Sequence, residues 1–138
     1  MNFLFSEWKR LKNMNIRRVA HTATRLKNGN VLVTGGMTEM IGLDEATAEV
    51  FNATTQLWTQ TNSMKVGRYY HTAILLRDGR VLIIGGKNEG KCFDSCEFYD
   101  ANTEVWTETG SLNSAKCEHR ALLLLNGKVL VIGYDTNR

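Results

Sequence analysis

An internal repeat is the sequence feature that most constrains the fold. All of the tryptophans and histidines recur with the same two separations, 50 and then 48 residues: Trp8, Trp58 and Trp106, and His21, His71 and His119. A chain of 138 residues therefore holds fewer than three full units of this length. Repeating units of 20–50 residues bury their apolar faces against their neighbours, so the repeat predicts a modular fold rather than one irregular core.

The residues within each unit predict β-structure. Turn dipeptides stand between two apolar runs at matching places in the units: Asn28-Gly29, Asp78-Gly79 and Asn126-Gly127. Such dipeptides are strong hairpin signals, and a two-residue turn of this kind needs positive φ at both central positions. Hairpins are therefore predicted over 21–36, 71–86 and 119–133, and second hairpins over 48–61 and 96–109. No segment has sustained helical spacing, so no helix is predicted.

The recurring residues form a pattern: Arg-x-x-His-Thr-Ala, a turn, Val-Leu-x-x-Gly-Gly, then Glu-x-Phe or Tyr, Asn or Asp, and x-x-Thr-x-x-Trp. This pattern resembles the kelch repeat. The resemblance implies an all-β fold, a partial β-propeller of kelch-type four-stranded antiparallel blades, with two full blades plus half-blades at the ends. It also implies that the strand after His21 is innermost, that Trp58 is on the outermost strand, and that the double glycines let neighbouring blades approach closely.

The repeat boundaries divide the chain into four parts. Residues 1–17 are predicted to be an outer strand of a preceding blade, 18–66 blade 1, 67–115 blade 2, and 116–138 the inner half of blade 3. This makes eleven strands, whereas a closed propeller has 4–8 four-stranded blades. The chain is therefore not expected to close alone, and self-association through its open blade edges is predicted.

Composition excludes two classes of partner. The net charge is only +3, and the longest apolar run, residues 121–125, is far shorter than a membrane span. Neither nucleic acid nor a membrane is therefore an expected partner. Three cysteines without a secretory signal favour free thiols in a reducing, cytoplasmic location. A thiolate-rich metal site of Cys92, Cys96, Cys117 and His119 stays open as an alternative, because loop placement brings Cys92 and Cys117 to one end of the blades.

No catalytic, cofactor or metal site is predicted. The histidines occupy one repeat-equivalent position, so they are expected to be structural rather than ligands of a shared metal. Copper-radical oxidases of the galactose oxidase type also contain kelch-like blades, but that resemblance would imply a Tyr–Cys cross-link and copper ligands outside the repeat. Here every histidine is inside the repeat, and no other catalytic motif can be placed, so the chain is predicted not to be an enzyme.

A binding face is predicted at one end of the blades. Strand alternation brings together loops 37–47 and 87–93 and segments 62–70 and 110–118, and puts the hairpin turns at the opposite end. The candidate protein-binding residues are Arg18, Lys65, Arg68, Tyr69, Tyr70, Lys87, Glu89 and Lys116. Arginine and tyrosine are favoured at interface centres. The predicted function is therefore a non-enzymatic protein–protein interaction scaffold.

Two alternatives to a scaffold stay open. The chain could be a fragment of a larger kelch-containing protein, such as a galactose-oxidase-like copper oxidase or a carbohydrate-binding protein, with its active site elsewhere. It could also be a decayed gene product without a function of its own.

Overall fold

The computed structural model describes residues 9–38 and 46–134, and these ranges contain twelve strands and no helix. The strands are β1 Thr22–Arg25, β2 Val31–Thr34, β3 Ala48–Asn52, β4 Leu57–Thr61, β5 Thr72–Leu75, β6 Val81–Ile84, β7 Lys87–Asn88, β8 Lys91–Cys92, β9 Cys96–Asp100, β10 Val105–Thr109, β11 Arg120–Leu123 and β12 Val129–Ile132. No helix in the described ranges has the length and apolar character to cross a membrane.

The strands form the predicted blades. The first antiparallel sheet has the order β1-β2-β3-β4 and the second the order β5-β6-β9-β10, while β11 and β12 form an inner half-blade. The small hairpin β7–β8 was not predicted; it lies between the second and third strands of blade 2. Trp8 and the strand predicted around it lie outside the described residues, and residues 9–17 contain no strand. The all-β, partial-propeller prediction is confirmed, and the exact boundaries stay a prediction.

The hairpin turns are of a different type from the one predicted. Gly29, Gly79 and Gly127 have φ of 86°, 99° and 83°, as expected, but the preceding Asn or Asp residues are not left-handed. In the first turn the amide of Gly29 donates to the carbonyl of Leu26 at 3.0 Å, and the amide of Leu26 donates to that of Asn30 at 2.8 Å. This is a type I turn followed by a left-handed glycine, the common three-residue hairpin connection.

At the double glycines, successive units touch backbone to backbone. The Gly36 amide donates to the carbonyl of Arg68 at 3.0 Å, and the Gly86 amide donates to that of Lys116 at 2.8 Å. A Cβ on Gly35 would lie 2.3 Å from the Arg68 carbonyl oxygen. Only glycine permits this approach, which confirms the predicted role of the pair.

Aromatic pairs fill the outer part of each full blade. The rings of Tyr99 and Trp106 lie 4.8 Å apart and those of Phe51 and Trp58 lie 5.1 Å apart. The indole N–H of Trp106 donates to the Asn62 carbonyl at 2.7 Å, in the segment that enters blade 2. The repeated tryptophans therefore pack the blades and fix their connecting segments.

Candidate functional site

The segments predicted to form a binding face meet at one end of the blades. A β-bridge joins Tyr69 to Lys87, which ties segment 62–70 to loop 87–93. The bond from Gly86 to Lys116 brings in segment 110–118. The hairpin turns gather elsewhere, where each turn hydrogen-bonds to the turn of the next unit. We call residues 62–70, 87–93 and 110–118 the loop-end face; residues 39–45 of the first loop lie outside the described ranges.

Two predicted face residues, Arg18 and Arg68, are buried, and their assignment to an exposed face is wrong. The Arg68 side chain has 0% exposure; it donates to the Glu97 carboxylate at 2.9 Å and to the Gly85 carbonyl at 2.8 Å. Burial lowers the pKa of Arg68, and the charge of Glu97 opposes this shift. Arg18 is paired with Glu49 at 3.0 Å in the same way. Both arginines stabilise the inside of a blade and are not accessible to a partner.

Their glutamate partners received no role in the sequence analysis. The Glu97 carboxylate also accepts the amides of Lys65 at 2.8 Å and Val66 at 3.1 Å, so it fixes the segment that leads into blade 2. Burial alone would raise the pKa of Glu49, but hydrogen bonds from the Asn15 amide and the Arg18 side chain outweigh it and hold that pKa low. A signal was present in the sequence, because an acidic residue recurs at the same place in a buried strand of each full blade.

The expectation of three free thiols is wrong for two of them. Cys92 and Cys117 form a disulfide with a Cα–Cα distance of 5.6 Å, and Cys96 is the free, buried cysteine. Burial raises the pKa of the Cys96 thiol. The disulfide removes two thiolates from the suggested metal site and instead joins loop 87–93 to segment 110–118. Because disulfides persist in oxidising compartments, the free-thiol argument for the cytoplasm no longer applies, and the compartment stays a prediction.

Four side chains form a compact cluster on the loop-end face: Tyr69, Tyr70, Lys87 and Glu118. The Lys87 ammonium lies 3.1 Å from Glu118 Oε1, 4.9 Å from the centre of the Tyr70 ring and 5.7 Å from that of Tyr69. The two rings meet edge to face at 5.5 Å. Tyr70 is 39% exposed, so the cluster is open to solvent. We call these residues the tyrosine–lysine cluster; sequence reasoning found three of them and missed Glu118.

The backbone under this cluster is a ladder that crosses three units. Ala20, Tyr70 and Glu118 occupy one repeat position, and all three are left-handed, with φ of 56°, 53° and 56°. The Tyr70 amide donates to the Ala20 carbonyl at 3.1 Å, and the Glu118 amide donates to that of Tyr70 at 3.0 Å. These bonds hold a conformation that costs a non-glycine residue about 1–3 kcal/mol. Ala20 shows that the ladder itself needs neither an aromatic nor an acidic side chain.

The remaining predicted residues differ in their surroundings. Lys65 has a side-chain exposure of 52% and pairs with Glu108 at 3.3 Å rather than with the cluster. Glu89 is exposed in the tight turn between β7 and β8, where it and Gly90 are both left-handed. Lys116 is half-buried, and its carbonyl is bonded by the Gly86 amide. Lys65 and Glu89 therefore lie on the surface, whereas the backbone of Lys116 belongs to the contact between units.

Two of the histidines, His71 and His119, contact the inner strand of the preceding unit. His119 Nε2 lies 2.8 Å from Thr72 Oγ1 on the inner strand of the preceding unit, and His71 reaches blade 1 in the same way. Beside them a cavity of about 380 Å³ is lined by residues 20–23, 70–73 and 118–121. Within the described ranges no three His, Cys, Asp or Glu side chains come together as a metal site.

A family model described as the Kelch motif matches residues 68–113, which confirms the kelch repeat in the second unit. A comparison with curated proteins gives no match. Among solved structures, the chain is similar to one described as a novel fungal alcohol oxidase with catalytic diversity among the AA5 family, in complex with copper. The identity is 24%, the TM-score is 0.53, and the match covers 64% of this chain and 18% of that chain. This likeness shows the fold alone, and the chain spans less than a fifth of that oxidase.

Proposed function

We propose that this chain, whose second unit is a kelch repeat, is a non-enzymatic scaffold that binds a protein partner through the loop-end face. The proposal rests on the contrast between buried residues that recur in each unit and residues of the loop-end face that do not. The buried ion pairs, double glycines and histidines recur from unit to unit, whereas the exposed residues at the loop end differ. Binding residues are commonly found on loops that a rigid scaffold positions.

The observation that carries the proposal is the composition of the tyrosine–lysine cluster. The first unit has residues that are neither aromatic nor charged at the three positions that match Tyr69, Tyr70 and Lys87: Val19, Ala20 and Met37. The same β-bridge forms in both units, between Val19 and Met37 and between Tyr69 and Lys87. The fold therefore does not require two tyrosines and a lysine here, and tyrosine is favoured at the energetic centres of protein interfaces.

The loop that carries Lys87 is held in place before any partner binds. The disulfide from Cys92 to Cys117 ties hairpin β7–β8 to the segment before β11. The Phe93 amide also donates to the Gly86 carbonyl at 2.8 Å. A surface that is already ordered loses less conformational entropy on association, which favours affinity.

Affinity capture with a matched pair of variants tests the proposal. The cluster variant carries Tyr69→Val, Tyr70→Ala and Lys87→Met, which are the residues of the first unit and should preserve the fold. The control variant carries Arg25→Ala and Lys128→Ala, two exposed residues near the hairpin turns. The same partner protein should be recovered with the wild-type chain and with the control but lost with the cluster variant. Equal recovery with all three chains would contradict a role for this face.

An alternative is that the chain is a fragment of a larger kelch-containing enzyme or carbohydrate-binding protein, with the active site elsewhere. The observation in its favour is that the matched part of the fungal oxidase is only 18% of that chain. The complete coding sequence distinguishes the two functions, because the alternative puts the active site outside these residues. A reading frame that continues into further blades and a copper- or carbohydrate-binding domain would favour the fragment alternative, whereas a scaffold predicts a coding sequence without such a domain.

The last hairpin supports the proposal that the isolated chain self-associates. Leu130 and Ile132 are 43% and 53% exposed, whereas their counterparts Leu32 and Ile84 are each 1% exposed, because in the full blades these positions are covered. An exposed apolar sheet face with an open edge promotes association. Sedimentation velocity should show oligomers that Ile132→Lys reduces. A stable monomer at tens of micromolar would contradict this proposal.

A further inference from the structure

Lys87 occupies a site that has the chemistry of a cation receptor. Its ammonium contacts the faces of Tyr69 and Tyr70 and the carboxylate of Glu118. Aromatic faces and a carboxylate attract cations. The Lys87 side chain is 24% exposed and that of Glu118 is 59% exposed. The arginine–glutamate pairs inside the two full blades are buried. Because water screens such a pair, Lys87 is held weakly and can be displaced.

The receptor groups keep their places without Lys87. The backbone bond of 3.0 Å from the Glu118 amide to the Tyr70 carbonyl fixes these two residues relative to each other. Both also line the cavity of about 380 Å³ along the inner strands, which offers room for an incoming side chain. At the position of Lys87 the first unit has Met37, so the β-bridge at this position forms without a lysine. The charge of Lys87 is therefore not part of what builds the site.

We propose that Tyr69, Tyr70 and Glu118 form a recognition site for a guanidinium group, the side chain of an arginine on the partner protein, and that Lys87 fills this site when no partner is bound. The inference rests on the proposed function, because it names the chemistry that the loop-end face selects. A guanidinium is flat, stacks on aromatic rings and binds a carboxylate through two parallel hydrogen bonds, and it is less strongly hydrated than an ammonium. An arginine therefore displaces the lysine.

An acidic partner fits this site less well. A carboxylate that approaches Lys87 also meets the Glu118 carboxylate, which lies only 3.1 Å from the ammonium. Like charges so close repel each other, and the electron-rich faces of the two tyrosines add to that repulsion. Recognition of an acidic segment through Lys87 is the competing chemistry, and it predicts the opposite effect of replacing this lysine.

Fluorescence anisotropy with capped, labelled pentapeptides tests the inference on the full chain. The central residue of the peptide is arginine, its neutral isostere citrulline, or glutamate. The wild-type chain should bind the arginine peptide at least about tenfold more tightly than the citrulline peptide. Lys87→Met should tighten binding of the arginine peptide several-fold, because it removes the resident cation. Glu118→Gln and Tyr70→Ala should each weaken it, while Lys128→Ala at the turn end should leave it unchanged.

The outcomes separate this inference from the proposed function. Equal binding of arginine and citrulline peptides, including no binding of either, overturns the guanidinium site. Preference for the glutamate peptide together with its loss in Lys87→Met also overturns it, while the loop-end face would still be a protein-binding surface. Failure of the proposed function is seen separately, as equal recovery of the partner by the wild-type chain and the cluster variant in affinity capture.

Discussion

The Nε2 atom of His71 lies 2.9 Å from the hydroxyl oxygen of Thr22, so an imidazole of blade 2 is bonded to the inner strand of blade 1. The same nitrogen is 3.1 Å from the hydroxyl of Thr34 on the next strand. Burial, assisted by the charge of Arg68, lowers the pKa of His71 to about 3. The ring is therefore neutral in the folded protein at neutral pH, and protonation would place a poorly solvated charge between the two blades.

The stability of the folded protein is expected to fall as the pH is lowered from 6.5 towards the folded-state pKa of His71. Because the pKa of His71 is about 3 when folded and 6.5 in the ordinary state, the unfolded chain binds the extra proton between these values. The contribution is complete above pH 6.5 and is lost below it, by at most about 1.4 kcal/mol per pH unit for one group. Urea unfolding at pH 5 and pH 7 should show the loss, and His71→Gln should reduce it. An unchanged pH dependence in that variant would contradict a buried neutral histidine.

Removing a buried carboxylate should be far more damaging than removing an exposed one. Glu97→Gln leaves the fully buried charge of Arg68 without its counterion, so a loss of about 3–5 kcal/mol in unfolding free energy is expected. Glu108→Gln breaks the exposed pair with Lys65 and should cost less than about 1 kcal/mol. Chemical denaturation of both variants makes the comparison. Similar losses would show that Arg68 is more solvated than the structure indicates.

Alanine substitutions at two glycines with positive φ allow backbone strain to be distinguished from steric overlap. Gly86 and Gly90 have φ of 94° and 76°, so alanine is strained at both. A Cβ on Gly86 would lie 2.9 Å from the Tyr69 carbonyl oxygen and 2.8 Å from His71 Cβ, whereas Gly90 has nothing within 4 Å. Gly90→Ala should cost about 1–2 kcal/mol and Gly86→Ala about 1–3 kcal/mol more. Equal losses in thermal or urea unfolding would mean that the units do not approach closely at Gly86.

The disulfide gives a prediction that needs only a thiol count. In the denatured but unreduced protein, alkylation should label one cysteine, Cys96, and reduction should raise the number to three. The bond closes a separation of 25 residues, so the double variant Cys92→Ser and Cys117→Ser should lose about 3 kcal/mol of stability. Three labelled cysteines before reduction would mean that loop 87–93 is not tied to segment 110–118 by a covalent bond.

The hairpins were predicted well from the sequence because each hairpin depends on residues that are close together in the chain. A turn glycine fixes each hairpin, and the repeat aligns one hairpin with the next, whereas the strand order in the blades and the role of the double glycines were implied by the resemblance to the kelch repeat. The burial of Arg68 did not follow, because its partner Glu97 is 29 residues away in sequence. Both residues recur in the two full blades. Such repetition indicates a structural role, because residues that stabilise each blade are needed in every unit.

The other parts that sequence reasoning missed occur once rather than in every unit. Cys92 and Cys117 pair only because the fold brings a loop and a connecting segment together. Glu118 stands at the repeat position of Ala20, which gave no reason to single it out. Hairpin β7–β8 did have a local signal, Glu89-Gly90, which forms its turn. Such single features are what distinguish one repeat from another, and they lie on the loop-end face.

Site-specific photo-crosslinking tests most directly whether this face binds the partner. A photoreactive amino acid replaces Lys91, which is exposed in β8 on the loop-end face, or Lys128, which is exposed beside a hairpin turn at the other end. A discrete adduct with the captured partner is expected from position 91 and none from position 128. An adduct from position 128 alone, or equal adducts from both positions, would contradict this expectation.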